Sequence, residues 1–247
     1  MTVSSVVTSF DSARSLMERL SRKWLGDQSG IAAVEFAFIG PLLLLLYLGT
    51  AGLTQAISAA RAVTVLARTV ADLTSQQPDS VSLTDTIAQN IFAASTAVMA
   101  PFPTSSLKMT LSNVEFVANS ASTSSNGYDA KVRWTVTFTG GTLRPCGQSS
   151  SPTPVLTPVA NGSNPSANTM PLGLYTTGFL IVADVSYVYT PTISLFDWAD
   201  ANGKPSTGPV NFTMSRTNYM RPRQTDNIHY ATGQTAKICT ITSPQVS

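Results

Sequence analysis

Residues 29–53 read SGIAAVEFAFIGPLLLLLYLGTAGL, and the rest of the chain takes its meaning from them. The stretch is almost wholly apolar and reaches the ~20 residues that a helix needs to cross a bilayer. Its one charge is Glu35. A carboxylate at the centre of such a helix costs roughly 2.5–3.5 kcal/mol on insertion scales, so an acidic residue here is a candidate for a specific task. Glu35 lies five residues after Gly30 and directly before Phe36. Gly40-Pro41 interrupts the run. Proline removes one backbone hydrogen bond, which a membrane helix tolerates when neighbours or local adjustment satisfy the freed carbonyl.

Upstream, residues 1–29 are polar, with Arg14, Arg19, Arg22 and Lys23 set against Asp11, Glu18 and Asp27. Leu16, Leu20 and Trp24 recur at four-residue steps, the spacing of a short amphipathic helix lying on a membrane surface. Arg61 and Arg68 are the cations that follow the apolar run at comparable distance. The positive-inside rule therefore places the N-terminus in the cytoplasm and the remainder outside. A secretory signal peptide has a short basic region and an apolar core of about 7–15 residues. Gly49-Thr50-Ala51 imitates its cleavage site, but the region before it is far too long. A plain anchor fits, and so does an anchor processed after Gly30; only the second gives Glu35 a task.

The helical pattern continues past the apolar run. Ile57, Ala60, Val63, Leu66, Ala67, Val70 and Leu73 form an i, i+3, i+4 stripe, with Arg61, Arg68 and Asp72 off it. Pro78 ends it. The spacing predicts one helix of roughly 45 residues, about 65 Å long at ~1.5 Å per residue: a membrane span over 31–54 and an amphipathic extension over 55–77. Ser82-Leu83-Thr84-Asp85 reads as a capping box, opening a short helix that runs to about Met99 before Pro101 and Pro103. Beyond it the period changes to two. Residues 106–118 and 128–139 alternate apolar and polar side chains around a turn-rich 120–127, which predicts a hairpin. Residues 179–193, 210–220 and 236–241 read as further strands, and the Ser/Pro/Asn-rich 147–170 as an exposed flexible loop. The expected architecture is α+β: a long N-terminal helix followed by an antiparallel β-rich domain, 78–247, with a short helix.

Charged residues make up 11% of the 247, far below the ~25% of ordinary soluble domains. A net charge of +2 without any Lys/Arg block gives no nucleic-acid footprint. Cys146 and Cys239 cannot build a four-ligand zinc site, and His229 is the only histidine. In an oxidising compartment the two cysteines are expected as a disulfide; the alternative is two unrelated buried thiols. No nucleophile elbow, phosphate loop, HExxH or CxxC occurs, so neither an enzyme nor a cofactor is expected. A membrane-tethered enzyme or ligand-binding domain would place a concave polar site around His229, Asp226 or the Arg221/Arg223 pair. Tyr219-Met220-Arg221-Pro222-Arg223 stands out as a strand end running into a basic, proline-stiffened loop, expected to pack on the long helix or on a partner subunit; the alternative is a solvated basic loop.

Gly30-Ile31-Ala32-Ala33-Val34-Glu35-Phe36, between a basic polar leader and a long apolar run, resembles the N-terminus of a type IV prepilin. More narrowly, SGIAAVEFAFIGPLLLLLYLG is similar to the TadE-like (TadE/TadG) pseudopilins of the tight-adherence, or Flp pilus, system, as are AARAVTVLARTVADLTSQ and the later YMRPR. The resemblance covers about residues 28–77 and that short C-terminal piece. It implies cutting after Gly30 by a prepilin peptidase, leaving a leader of 1–30 and a mature chain starting at Ile31, with Glu35 its fifth residue. It also implies an inner-membrane location with a periplasmic domain, and as partners the lipid bilayer, other pilin-like subunits and inner-membrane pilus assembly proteins. A new amine at Ile31 would have an unperturbed pKa of about 7.7–8.0, and Glu35 would lie about 6 Å further along the helix. In a bundle of such helices the carboxylate of one subunit can pair with the amine of the next. An unprocessed inner-membrane scaffold of the pilus machine is the structural alternative.

Overall fold

The computed structural model describes residues 29–78, 80–120, 127–147, 153–164, 166–191, 211–234 and 236–239. Residues 1–28 of the leader, with its expected surface helix, lie outside the described residues, as do most of the 120–127 turn and the segment from 192 to 210. One helix, α1, runs unbroken from Ser29 to Ser75 through Pro41. Its hydroxyl side chains bond within it: Thr50 donates to the Tyr47 carbonyl (2.9 Å), Ser58 to Thr54 (2.9 Å), Thr64 to Ala60 (2.9 Å) and Thr74 to Val70 (2.8 Å). Back-bonding of this kind gives Ser and Thr hydroxyls an acceptor within the helix itself.

The chain divides into two compact units at Leu53/Thr54. In the first, the apolar side chains of α1 face outward: Phe36 is 75% exposed, Phe38 79% and Leu46 60%. In the second, the same helix becomes core. Ala59, Val63, Leu66, Ala67, Val70 and Ala71 are fully or almost fully buried. The expected stripe is correct in its centre and shifted at its start, where Ala59 is buried and Ile57 is 46% exposed. The amphipathic extension thus packs with the β-rich part of the chain, in the compact unit that starts at Thr54.

The second helix, α2, spans Asp85–Thr96 and is extended by a 3-10 turn over Ala97–Met99. Its cap is Thr84, whose Oγ1 accepts from the Ile87 amide at 3.3 Å, and not Ser82. The reason lies in the preceding residue. Leu83 is held extended in a bridge to Tyr230, donating to the His229 carbonyl (2.8 Å) and accepting from the Ala231 amide (2.9 Å), so no helix can start there. Asp85, expected to close a capping box, accepts a 2.7 Å bond from the Tyr230 hydroxyl instead.

The strands are β1 (Leu107–Ala118), β2 (Tyr128–Phe138), β3 (Thr157–Val159), β4 (Thr169–Pro171), β5 (Gly178–Tyr189), β6 (Phe212–Met220) and β7 (Lys237–Ile238). Five of them form one antiparallel sheet in the order β6-β5-β1-β2-β7. One face carries Leu107, Met109 and Leu111, Trp134 and Val136, and Ile181, Ala183, Val185, Tyr187 and Tyr189; these cluster with α1 and α2. The other carries Val114, Phe116, Ala130, Val132, Leu180 and Val182. Val132 and Trp134 stand two residues apart yet belong to opposite faces, because the β1–β2 register slips by one residue at Asn113/Val114 and leaves Arg133 without a counterpart on β1. A bulge of this kind inverts the alternation. The Arg133 carbonyl takes the Cys239 amide as its partner at 2.8 Å.

The 147–170 segment is not a free loop. Residues 148–152 and 165 lie outside the described residues, but β3 and β4 pair in parallel, Val155 bridges to Lys131, and Leu156 and Met170 are fully buried in the second core. Tyr175 ties this strap down by donating to the Leu156 carbonyl at 2.9 Å and meeting Phe116 edge to face. The strand expected over 179–193 stops at Tyr189, and of the one expected over 236–241 the described residues show Lys237–Ile238, with 240 and 241 outside them. Cys146 and Cys239 form the expected disulfide, joining the start of the strap to the end of β7.

Gly141 sits where the chain leaves β2 and passes the backbone of β1. A Cβ there would overlap the Met109 carbonyl oxygen and Thr110 Oγ1. Gly141→Ala is expected to cost about 1–3 kcal/mol, the usual penalty of overpacking, read as a lower midpoint in chemical denaturation; an unchanged midpoint would contradict the packing.

Candidate functional site

Gly30, Ile31, Glu35 and Phe36 all lie in the opening turns of α1, and all four are exposed. A Cβ added to Gly30 would meet nothing within 4 Å among the described residues. Ile31 and Glu35 are one turn apart on one helix face, as i, i+4 residues must be. Glu35 is not among the ion-paired residues seen in the described part of the chain. Phe36 and Gly40 repeat the same spacing, and the Phe36 ring lies over the glycine: a Cβ at Gly40 would sit 3.5 Å from Phe36 Cε1. The proline that follows leaves α1 continuous.

The Tyr219–Arg223 segment packs on its own chain. The Arg223 amide donates to the Ser75 carbonyl at 2.9 Å, supplying a partner to one of the carbonyls that a helix C-terminus leaves unsatisfied. Its guanidinium pairs with Asp72 at 2.6 Å, and Ser75 Oγ reaches Met220 Sδ at 3.3 Å. Arg221 donates to the Thr177 carbonyl at 3.4 Å and to Thr176 Oγ1. Tyr219 is half-buried, and burial pushes its hydroxyl pKa up against the opposing pull of Arg144. Of the two expectations for this segment, the long helix is the partner observed within the chain.

Sequence reasoning passes over Arg144. It is fully buried, and its guanidinium grips Asp184 with both arms, Nε to Oδ2 at 2.8 Å and an Nη to Oδ1 at 2.9 Å. It also donates to the Ala167 and Thr169 carbonyls at 3.3 Å, while Thr217 donates to Asp184 at 2.6 Å. The network bolts the strap to β5 and β6. Nothing in the local sequence LRPC distinguishes this arginine from a surface one; the signal is an acidic residue in the middle of an otherwise buried strand, Asp184.

An open polar depression of about 540 Å³ does lie at Arg223, Asp226 and His229. Asp226 and His229 are exposed, and Arg223 is already engaged with Asp72. Among the described residues no group of three or more His, Cys, Asp or Glu side chains could hold a metal.

The comparisons with known proteins single out the same stretch that the sequence does. The family model of TadE-like proteins matches residues 30–72, from the glycine of the N-terminal motif to the aspartate that holds Arg223. This segment is similar to TadE-like proteins, and the α+β domain attached to it lies mostly outside the match. No curated protein and no solved structure matches the chain.

The C-terminal half of the matched segment is joined to the domain through apolar packing more than through its ion pair. Leu66→Ala, at a fully buried position, is expected to cost about 2–5 kcal/mol. Arg223→Ala, at a pair whose members are 55% and 35% exposed, is expected to cost less than about 1 kcal/mol. Urea unfolding of the two variants gives the order; a larger loss for Arg223→Ala would reverse the assignment.

Proposed function

We propose that this protein is a pseudopilin or minor-pilin-like structural component of a tight-adherence (Flp-type) pilus apparatus, and not an enzyme. The observation that carries the reading is the TadE-like match over 30–72, laid on one continuous helix whose apolar side chains are unburied as far as Leu53. That half of α1 anchors the protein in the bacterial inner membrane. The leader stays in the cytoplasm and the domain from Thr54 onward stands in the periplasm. Two observations support this orientation: the excess of Lys/Arg before the span, and the Cys146–Cys239 disulfide, a bond that persists in oxidising compartments.

In this reading a prepilin peptidase cuts between Gly30 and Ile31, in the first described turn of α1, where no described residue crowds the glycine. The amine so freed is the natural partner for a Glu35 carboxylate on a neighbouring pilin-like subunit. Each charge is costly alone in hydrocarbon, so the pair sets the stagger at which helices associate. Removing one member of a buried pair strands the other, at about 3–5 kcal/mol. The amphipathic half of α1 is already committed to its own sheet, so the face offered to partners is the 31–53 half.

Two measurements on protein from native membranes test this. Intact mass and N-terminal sequencing are expected to give a mature chain starting at Ile31; a chain starting at Met1 with the peptidase present would favour the unprocessed scaffold. Glu35→Ala is expected to insert normally and to abolish pilus assembly; wild-type piliation by this variant would overturn the role given to the glutamate.

A further inference from the structure

Beyond Thr54 one side of α1 is buried against the sheet, and the opposite side is open among the described residues. Ile57, Arg61, Val65 and Arg68 follow one another along that open side, and all four are exposed. Ile57 is 46% exposed and Val65 47%. Arg216, on the edge strand β6, reaches the same part of the helix: its Nε donates to Thr64 Oγ1 at 3.3 Å. Thr64 follows Arg61 by three residues and precedes Arg68 by four, spacings that share a helix face. Three guanidinium groups are thus gathered along two turns of α1.

No carboxylate answers them among the described residues. Asp72 is the one acidic residue between Thr54 and Ser75, and Arg223 holds it at 2.6 Å. Strand β6 carries no acidic residue, and the other ion pairs join Glu115 to Arg133 and Asp184 to Arg144. Like charges brought together without a counter-charge repel, and the arginine fork matches carboxylate and phosphate groups. The face therefore selects an anion.

Spacing and position narrow the choice. Arg61 and Arg68 are seven residues apart with the exposed Val65 between them. On a rigid helix that is about 10.5 Å, an interval that a second helix repeats along its own face. Apolar contacts flanked by charges are also how paired helices choose one another. Lipid phosphate fits poorly. With 31–53 across the bilayer, Arg61 and Arg68 follow Leu53 by eight and fifteen residues, about 12 and 22 Å along the helix, past a headgroup layer of about 5–7 Å. A second copy fits poorly too. Its Asp72 is engaged, and Asp85, the one acidic residue of α2, accepts the Tyr230 hydroxyl.

We propose that the open side of α1 from Ile57 to Arg68 docks an acidic helix of another protein. That helix sets two carboxylates, seven residues apart, on Arg61 and Arg68 and an apolar side chain on Val65, with Arg216 at its flank. The assignment takes from the proposed function only the reading of 31–53 as a span; contacts between neighbouring spans are separate from it.

The test uses the full-length protein in native membranes with a benzophenone amino acid in place of Val65. After irradiation, adducts are mapped by peptide mass spectrometry. The expected adduct lies on a different protein, in a segment with two Asp or Glu residues seven apart. Arg61→Glu combined with Arg68→Glu is expected to cut its yield about tenfold without lowering the melting temperature. Arg61→Lys with Arg68→Lys, which keeps the charge, is expected to hold the yield within about twofold. Changing the two captured carboxylates to Lys is expected to restore capture by the charge-reversed chain. Adducts on phospholipid, on residues 192–210 of the same chain, on a second copy or on a segment without carboxylates would each overturn the proposal. So would no adduct at all, or a yield indifferent to charge reversal. Recovery of the unaltered protein from the soluble fraction would overturn the span itself, and with it the case against lipid on which this proposal leans.

Discussion

The stripe of Val63, Leu66, Ala67 and Val70 buried against the five-stranded sheet is the contact on which the rest of the structure depends. It converts the C-terminal half of α1 from an amphipathic rod into the spine of a domain. The sheet must present a matching apolar face to it. Strand β1 does so with Leu107, Met109 and Leu111, β2 with Trp134 and Val136, and β5 with alternate residues from Ile181 to Tyr189. The end of the helix is then held by backbone and charge together, through Arg223 on Ser75 and Asp72. Apolar burial supplies most of the energy here, because the ion pair is largely in water and is screened.

The upstream half of α1 obeys a different constraint. Its Phe36, Phe38 and Leu42–Leu46 side chains are exposed among the described residues, and an apolar surface of that extent marks a site for lipid or for other helices. The backbone makes no such demand, since a helix satisfies its own hydrogen bonds in either medium. One secondary structure can therefore serve both environments, and Gly49 and Gly52 stay helical within it. In the proposed role this suits a subunit whose membrane half finds partners while its outer half keeps a fixed fold.

Much of the fold is legible in the sequence, for reasons that differ from one element to the next. The long helix shows itself because apolar length and the 3.6-residue period are both local signals, and the strands 106–118 and 128–139 because their alternation is strong. The disulfide is legible because the chain has two cysteines, which are expected to pair if their domain lies in an oxidising compartment. What stays hidden is non-local. The bulge at Asn113/Val114 inverts the faces of Val132 and Trp134, and no local pattern announces it. Thr84 caps α2 because Leu83 is claimed by Tyr230, far away in the chain. The 147–170 segment reads as a free loop because its anchors, Leu156, Met170 and the Arg144–Asp184 pair, are isolated in a polar sequence. At the N-terminal motif the sequence carries nearly all of the argument: the helix places Gly30, Ile31, Glu35 and Phe36, and the task proposed for them would depend on a second chain.

The central claim is that one helix passes from lipid to protein core at Leu53/Thr54. The most direct measurement is the accessibility of nitroxide labels placed singly along α1 in bilayers, with oxygen as the lipid-soluble probe and a nickel chelate as the water-soluble one. The account predicts that labels at Leu44 and Leu46 meet oxygen freely and nickel poorly, while labels at Val63 and Ala67 are shielded from both. Free access of oxygen to Val63 and Ala67, at the level seen for Leu46, would contradict it.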